Sequence, residues 1–234
     1  MPKRFTARCH LLFLVLALGM PHGAAAAEAA GSTAQRRAAR AYGNGQFKQA
    51  QAEFERLARR GDTLAQFNLA MMHVRGEVPH PDLQAARRLL QKASTGESWR
   101  ASLALGQMHE QGLLGAPDLP QATRWYTLAA ERGSVEGQLA VATAYYLGRG
   151  APHDPVQAAH WYREAAKGGD VGAQYLIASM YEQGDGVMLD LRLARYWYDA
   201  AARNGDLVAP AKVKELDAKL APLPATNLRE QAGS

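Results

Sequence analysis

The sequence has almost no cysteine and no long hydrophobic run. Cys9 is the one cysteine in 234 residues, which excludes an intramolecular disulfide framework and any metal site that needs several cysteines. The longest apolar run, residues 11–18, is far shorter than the about 20 residues that a membrane-spanning helix requires. With 47% hydrophobic and 21% charged residues, the composition excludes a fully disordered chain.

Motifs of catalysis are also missing. The sequence contains no Ser-x-x-Lys, the motif of penicillin-binding proteins and class A β-lactamases. The pair His109-Glu110 is not followed by the second histidine of a zinc-protease helix. No short-range pair of metal ligands occurs among the seven histidines, so we predict neither a catalytic residue nor a metal or cofactor.

Residues 1–27 have the order of a secretory signal peptide. Lys3, Arg4 and Arg8 precede the apolar run, and four alanines at 24–27 form the cleavage region. We predict cleavage after residue 27 and export, to the periplasm in preference to secretion. An uncleaved amphipathic anchor and a buried helix are the alternatives. Cys9 lies before the apolar run, whereas a lipid-accepting cysteine would lie at the cleavage point, so a lipoprotein anchor is not expected.

The excess of positive charge belongs largely to this leader. Its removal lowers the formal net charge from +5 to +2, because it contains three basic residues and no acidic one. The remaining charges alternate along the chain, which is typical of solvated helices and disfavours nucleic-acid binding. After cleavage no stable membrane span is expected.

A repeat of 36 residues occupies residues 63–206. The four copies span about 63–98, 99–134, 135–170 and 171–206, and each has glycine, aspartate and alanine at fixed positions. Three copies add a Trp-Tyr pair, at 125–126, 161–162 and 197–198, where the first copy has two leucines. Agreement at so many positions indicates one structural unit used four times.

Each copy is predicted to form two antiparallel helices. In the third copy, Gln138, Val141, Ala142 and Tyr145 form one helical stripe, and glycine at 148 ends the helix because it tolerates a left-handed turn. An aspartate then caps the second helix of every copy: Asp82, Asp118, Asp154 and Asp190. A single helix pair cannot bury both stripes, so the sequence predicts an all-α fold, a right-handed α-solenoid of stacked helix pairs.

Shorter segments flank the four copies. Residues 32–62 are predicted to form a degenerate tetratricopeptide-like helix pair. Residues 207–220 are predicted to form a capping helix, with Val213, Leu216 and Leu220 on one face. The tail, 221–234, has no apolar period and is predicted to be disordered.

These positions resemble the Sel-one-like repeat family, a branch of the tetratricopeptide-type α-solenoids. The resemblance rests on Ala-Gln-x-x-aliphatic-(Ala/Gly)-x-x-Tyr, then Gly-x-Gly, Asp, Ala, Trp-Tyr and Ala-Ala-x-x-Gly-Asp. The first two copies differ, with His73 and His109 in place of the tyrosine. The resemblance implies an adaptor that holds other macromolecules. Some cysteine-rich secreted members are described as β-lactamase-like, but this chain lacks their paired cysteines.

The first helices should line the concave face, as in the related solenoids. Their non-packing stripe begins apolar and becomes mixed and acidic, which suits a peptide with apolar anchors at one end and basic residues at the other. Burial between helices is the alternative for the apolar members at 67, 103, 139 and 175. The predicted groove residues are Leu64, Phe67, Met71, Val74, Arg100, Leu103, Gln107, Glu110, Glu136, Leu139, Thr143, Tyr146, Tyr175, Ser179 and Glu182.

The leading hypothesis is a non-enzymatic protein–protein interaction scaffold in the bacterial envelope, which binds an unidentified protein or peptide in the concave groove. Two alternatives stay open. One, by analogy with the family, is a β-lactamase-like or peptidoglycan-directed hydrolase. The other is a structural brace of an envelope export or polysaccharide complex.

The leader prediction is tested by the N terminus of the protein isolated from its own cells. We expect intact-mass measurement and N-terminal sequencing to find a chain that begins at Glu28, because the small residues that favour cleavage end at residue 27. A chain that retains residues 3–8 would show that the leader is not removed.

Overall fold

The structure, a computed structural model, describes residues 32–221. The predicted leader and residues 222–234 of the predicted tail lie outside the described residues. Within the described range the chain forms eleven α-helices and no β-strand, which confirms the predicted all-α fold class. The hand of the superhelix stays a prediction.

The helices follow one another as antiparallel pairs, each packed against the helix before it and the helix after it. The first pair precedes the repeats, four pairs correspond to the four copies, and one helix follows them. In chain order they are α1 (Thr33–Gly43), α2 (Phe47–Arg59), α3 (Thr63–Arg75), α4 (Leu83–Thr95), α5 (Trp99–Glu110), α6 (Leu119–Glu131), α7 (Val135–Leu147), α8 (Pro155–Lys167), α9 (Val171–Gln183), α10 (Leu191–Arg203) and α11 (Ala209–Leu220).

Side-chain caps set where the helices of the repeats begin. The second helices start after the predicted aspartates; the Asp154 carboxylate, for example, accepts hydrogen bonds from the backbone N–H groups of Val156 and Gln157, both at 3.0 Å. The first helices have caps of their own that the sequence reading did not single out. These caps are Asp62, Ser98, Ser134 and Asp170. Each accepts from the backbone N–H three residues later, which satisfies a group that the helix leaves free.

The hydrophobic core is divided into layers along the solenoid, and small residues let the helices approach closely. In the third and fourth copies, buried Ala142, Ala158 and Ala173 pack with Tyr162 and Ile177 in one layer. In the second copy a glycine in α5 takes the place of alanine: a Cβ on Gly106 would lie 2.4 Å from Cε1 of Tyr126. The layers join adjacent pairs, so no helix pair buries its apolar stripe alone.

A glutamine in the first helix links one copy to the copy before it. The Nε2 atoms of Gln66, Gln138 and Gln174 donate to backbone carbonyls near the end of the preceding helix, at 3.3, 3.4 and 3.1 Å. The second copy has Ser102 at this position. There the guanidinium of Arg132 donates to the hydroxyls of Ser102 and Ser94, at 3.0 and 3.3 Å. The joint between copies is therefore polar and hydrogen-bonded at its end, beside the buried alanines.

The last helix occupies the place of a first helix of a fifth copy. Asp206 accepts from the backbone N–H groups of Val208 and Ala209, at 2.8 and 2.7 Å, and Leu216 is buried against α10. An ion pair joins Arg195 to Asp217 across the two helices. Lys214, Glu215, Asp217 and Lys219 of α11 are exposed, and no further helix follows within the described residues, so α11 closes the apolar core there.

Substitution of the second glycine of the Gly-x-Gly pair in the fourth copy tests how closely this copy packs against the third. Gly186 has φ +68°, and a Cβ there would lie 2.1 Å from the backbone oxygen of Pro155 at the start of α8. We expect Gly186→Ala to lower the free energy of unfolding by roughly 3 kcal/mol, from the left-handed backbone and the steric overlap together. Urea denaturation followed by circular dichroism measures the loss.

Gly205→Ala is the matched control. Gly205 also has a positive φ, +100°, but no atom lies within 4 Å of its added Cβ. We expect a loss of about 1 kcal/mol from the backbone alone. Equal losses in the two variants would show that the close approach between copies contributes nothing to stability.

Candidate protein-binding face

The predicted groove residues lie along the first helices, α3, α5, α7 and α9. Four of them are exposed: Leu64, at 47%, and Arg100, Glu110 and Glu136. Ten are half-buried and present part of their side chains to solvent: Phe67, Met71, Val74, Gln107, Leu139, Thr143, Tyr146, Tyr175, Ser179 and Glu182. The row thus forms a continuous face of mixed character, which we call the first-helix face.

Leu103 does not line this face. It is 3% exposed and packs with Ala122, Tyr126 and Val141 in the core layer of the second copy. The cause is Gly106, one turn further along α5, which lets the tyrosine of α6 approach the helix and cover the leucine. For this member of the row, the alternative of burial between helices is the correct one. Phe67, Leu139 and Tyr175 pack partly against the core as well.

Tyrosines of the second helices reach the same face through their hydroxyl groups, a contribution that the sequence reading missed. The hydroxyl of Tyr126 donates to Oε2 of Glu110 at 2.6 Å, and that of Tyr198 donates to Oε2 of Glu182 at 2.9 Å. Burial, with the neighbouring carboxylate, raises the pKa of both tyrosines above the ordinary value. Their hydroxyls therefore stay protonated and remain donors.

A small pocket opens between α7 and α9 on this face. It is lined by Tyr146, Tyr162, Leu176, Ser179, Met180, Gln183 and Asp185. The rings of Tyr146 and Tyr162 meet edge to face with centroids 6.1 Å apart, and the Tyr162 hydroxyl lies 3.3 Å from Oγ1 of Thr143. Aromatic edges, hydroxyls and one carboxylate converge here, an arrangement that can hold a polar or aromatic side chain.

The acidic end of the face is partly neutralised by the last helix. Glu182 lies 3.1 Å from Nζ of Lys212 and 3.8 Å from Nζ of Lys219. The hydrogen bond to Glu182 raises the pKa of Lys212, so Lys212 is charged at neutral pH. The basic residues that the sequence reading assigned to a partner are thus supplied at this end by α11. Glu110, Glu136 and Asp185 remain as the acidic groups beside the pocket and along the row.

A family model for the Sel1 repeat matches residues 63–97, 99–134, 135–170 and 171–206. These matches cover more than half of the chain. The chain belongs to the Sel1 repeat family. The predicted resemblance is confirmed, and the 36-residue units of the sequence coincide with four Sel1 repeats.

Two solved structures support the assignment. A Sel1 repeat protein from Oxalobacter formigenes has 30% identity and a TM-score of 0.64, and the match covers 76% of this chain and 74% of that one. The antigen c5321 of uropathogenic Escherichia coli, which displays an SLR fold, has 28% identity and a TM-score of 0.69. That match covers 82% of this chain but 43% of the antigen, so the chain spans less than half of its length. Among curated proteins none matches the chain.

In this Sel1 repeat protein, the histidine of the first repeat that replaces the family's tyrosine stabilises the turn before the second helix. Nδ1 of the half-buried His73 accepts from the backbone N–H of Asp82 at 3.2 Å. Within residues 32–221, no group of three or more histidine, cysteine or acidic side chains is placed to hold a metal ion. None of the helices described there combines the length and the apolar character that a bilayer crossing needs.

The tyrosine–carboxylate bond at the edge of the face is testable by deletion of one hydroxyl. We expect Tyr126→Phe to lower the free energy of unfolding by about 1 kcal/mol, because a short hydrogen bond to a charged, partly solvated carboxylate is lost. Tyr162→Phe is the matched control, since its hydroxyl meets a neutral threonine at 3.3 Å, and it should cost less. Thermal and urea unfolding compare the two; a larger loss for Tyr162→Phe would contradict this assignment.

Proposed function

We propose that this protein is a non-enzymatic scaffold of the bacterial envelope, and that its first-helix face binds an extended segment of a protein partner. Sel1 repeats generally mediate protein–protein interaction. The observation that carries the proposal for this chain is the half-exposed row on α3, α5, α7 and α9, with a side-chain pocket between its last two helices.

The chemistry of the row suggests how a partner lies on it. The exposed Leu64 and the half-buried Phe67 and Met71 offer apolar contacts at the N-terminal end. Farther along, Tyr146 and Ser179 offer aromatic and hydroxyl contacts at the pocket. A segment that crosses several repeats in extended form would place apolar side chains first and polar or basic ones later. Envelope location rests on the signal-peptide pattern of residues 1–27.

Photo-crosslinking in living cells tests the proposal. A p-benzoylphenylalanine residue in place of Tyr146 lies on the face, and the same residue in place of Lys92, an exposed position on the second helix α4, is the control. We expect a crosslinked partner at 146 and none at 92, with the adduct in the periplasmic or envelope fraction. No adduct at 146, or equal adducts at both positions, would contradict binding on this face. Adducts confined to the cytoplasmic fraction would contradict the envelope location.

A further inference from the structure

A second surface stands apart from the first-helix face. It comprises the loop between α9 and α10 and the first two turns of α10, and its members are Val187, Met188, Leu189, Leu193 and Tyr196. We call it the loop patch. Met188 is 89% exposed, Leu189 61% and Tyr196 54%. Met188, Leu189, Leu193 and Tyr196 are thus large apolar side chains exposed to solvent next to one another. Exposed apolar surfaces of this kind are unfavourable in water and mark interaction sites.

The third copy shows that the fold does not need the exposed apolar side chains of the loop patch. The third copy has Ala151, Pro152, His153, Gln157 and His160 at the same five positions. Its loop ends at a capping aspartate in the same way as the fourth, and both loops keep the glycines at the first and third positions. Because identical backbone roles are filled there by small or polar residues, the repeat architecture does not require the exposed apolar residues of the fourth copy. Val187 is the exception, since it packs partly against the core.

A cation without an acidic partner lies beside the patch. One open pocket of about 410 Å³ is lined by Arg163, Tyr181, Val187, Met188, Leu189, Asp190 and Leu193. The guanidinium carbon of Arg163 is 5.8 Å from the ring centroid of Tyr181. Its buried Nε has no hydrogen-bond partner, and no carboxylate within residues 32–221 forms an ion pair with it.

Asp190 and Arg192 are the other charged residues at the patch. Asp190 is the one acid among the residues that line the pocket, and its Oδ1 is engaged by the backbone N–H groups of Arg192 and Leu193, at 2.9 and 3.0 Å. The side chain of Arg192 is exposed and forms no ion pair with any described residue. The pocket is thus apolar with a positive edge. A second copy of this chain would bring arginine against arginine, which disfavours a symmetric contact.

We propose that the loop patch docks a protein segment that combines a large apolar side chain with a carboxylate. The apolar side chain contacts Val187, Leu189 and Leu193, and the carboxylate pairs with the guanidinium of Arg163 at the pocket edge. The guanidinium of Arg163 has no acidic partner within residues 32–221, and a planar guanidinium binds a carboxylate in preference to a neutral acceptor. This site is separate from the first-helix face and does not depend on the function proposed for that face.

Selection from a random twelve-residue peptide display library on the purified full chain tests the proposal. We expect enriched peptides in which Leu, Phe or Trp lies within a few positions of Asp or Glu. Their affinity should fall roughly tenfold or more for Leu189→His/Leu193→Gln, which installs the third-copy residues, because the apolar contact is lost. Arg163→Thr, which installs the residue of the second copy, should cause a similar loss for the acidic peptides.

Matched measurements keep the test specific. Tyr146→Ala on the first-helix face should leave the affinity of the selected peptides unchanged, and thermal unfolding should show that each variant keeps its fold. The proposal is overturned if the peptides that the third-copy variant loses are basic or uncharged, if every selected peptide binds that variant as well as the natural chain, or if no peptide is enriched. Light scattering that shows a dimer lost in Leu189→His/Leu193→Gln would assign the patch to a second copy and overturn it as well.

Discussion

The structure depends on one joint, between the second helix of one repeat and the first helix of the next. The extensive helix contacts are all between neighbours in the chain, so contacts between distant segments cannot compensate for a failed joint. Space at the joint is set by small residues: a Cβ on Gly137 would lie 2.9 Å from the backbone nitrogen of Ala130. A glutamine such as Gln174 then closes its polar end. Together these contacts extend the apolar core from one repeat to the next.

Much of the fold could be predicted because the same constraints recur in each copy. Glycine at the helix end, aspartate at the next helix start and alanine at the close contact each have a local physical cause, and repetition separates those causes from chance. Caps such as Ser134 were missed because this position is not constant: two copies have aspartate and two have serine. The burial of Leu103 could not be decided from the sequence. It depends on Gly106, which lets Tyr126 approach α5 and cover the leucine but does not alter the hydrophobic periodicity.

The first-helix face was harder to predict, because its hydrogen bonds and ion pairs join side chains of different helices. The hydroxyl of Tyr126 or Tyr198 pairs with a glutamate 16 residues earlier in the sequence, on the preceding helix, and only a comparison of copies could have indicated it. The copies with glutamate at this position pair it with tyrosine, and the first copy has valine and leucine at the same two places. The ion pairs of Glu182 with Lys212 and Lys219 of α11 likewise join separate elements, and no periodicity within one repeat indicates them.

Because the joints use similar residues, the number of repeats can change during evolution. Recombination between the third and fourth copies would add or delete one unit of 36 residues and still leave a glutamine and a small residue at the joint between those copies. Such an event would shift the loop patch relative to Leu64 by one repeat without any new packing problem. The distance between the two proposed docking surfaces, the first-helix face and the loop patch, is therefore set by the number of repeats.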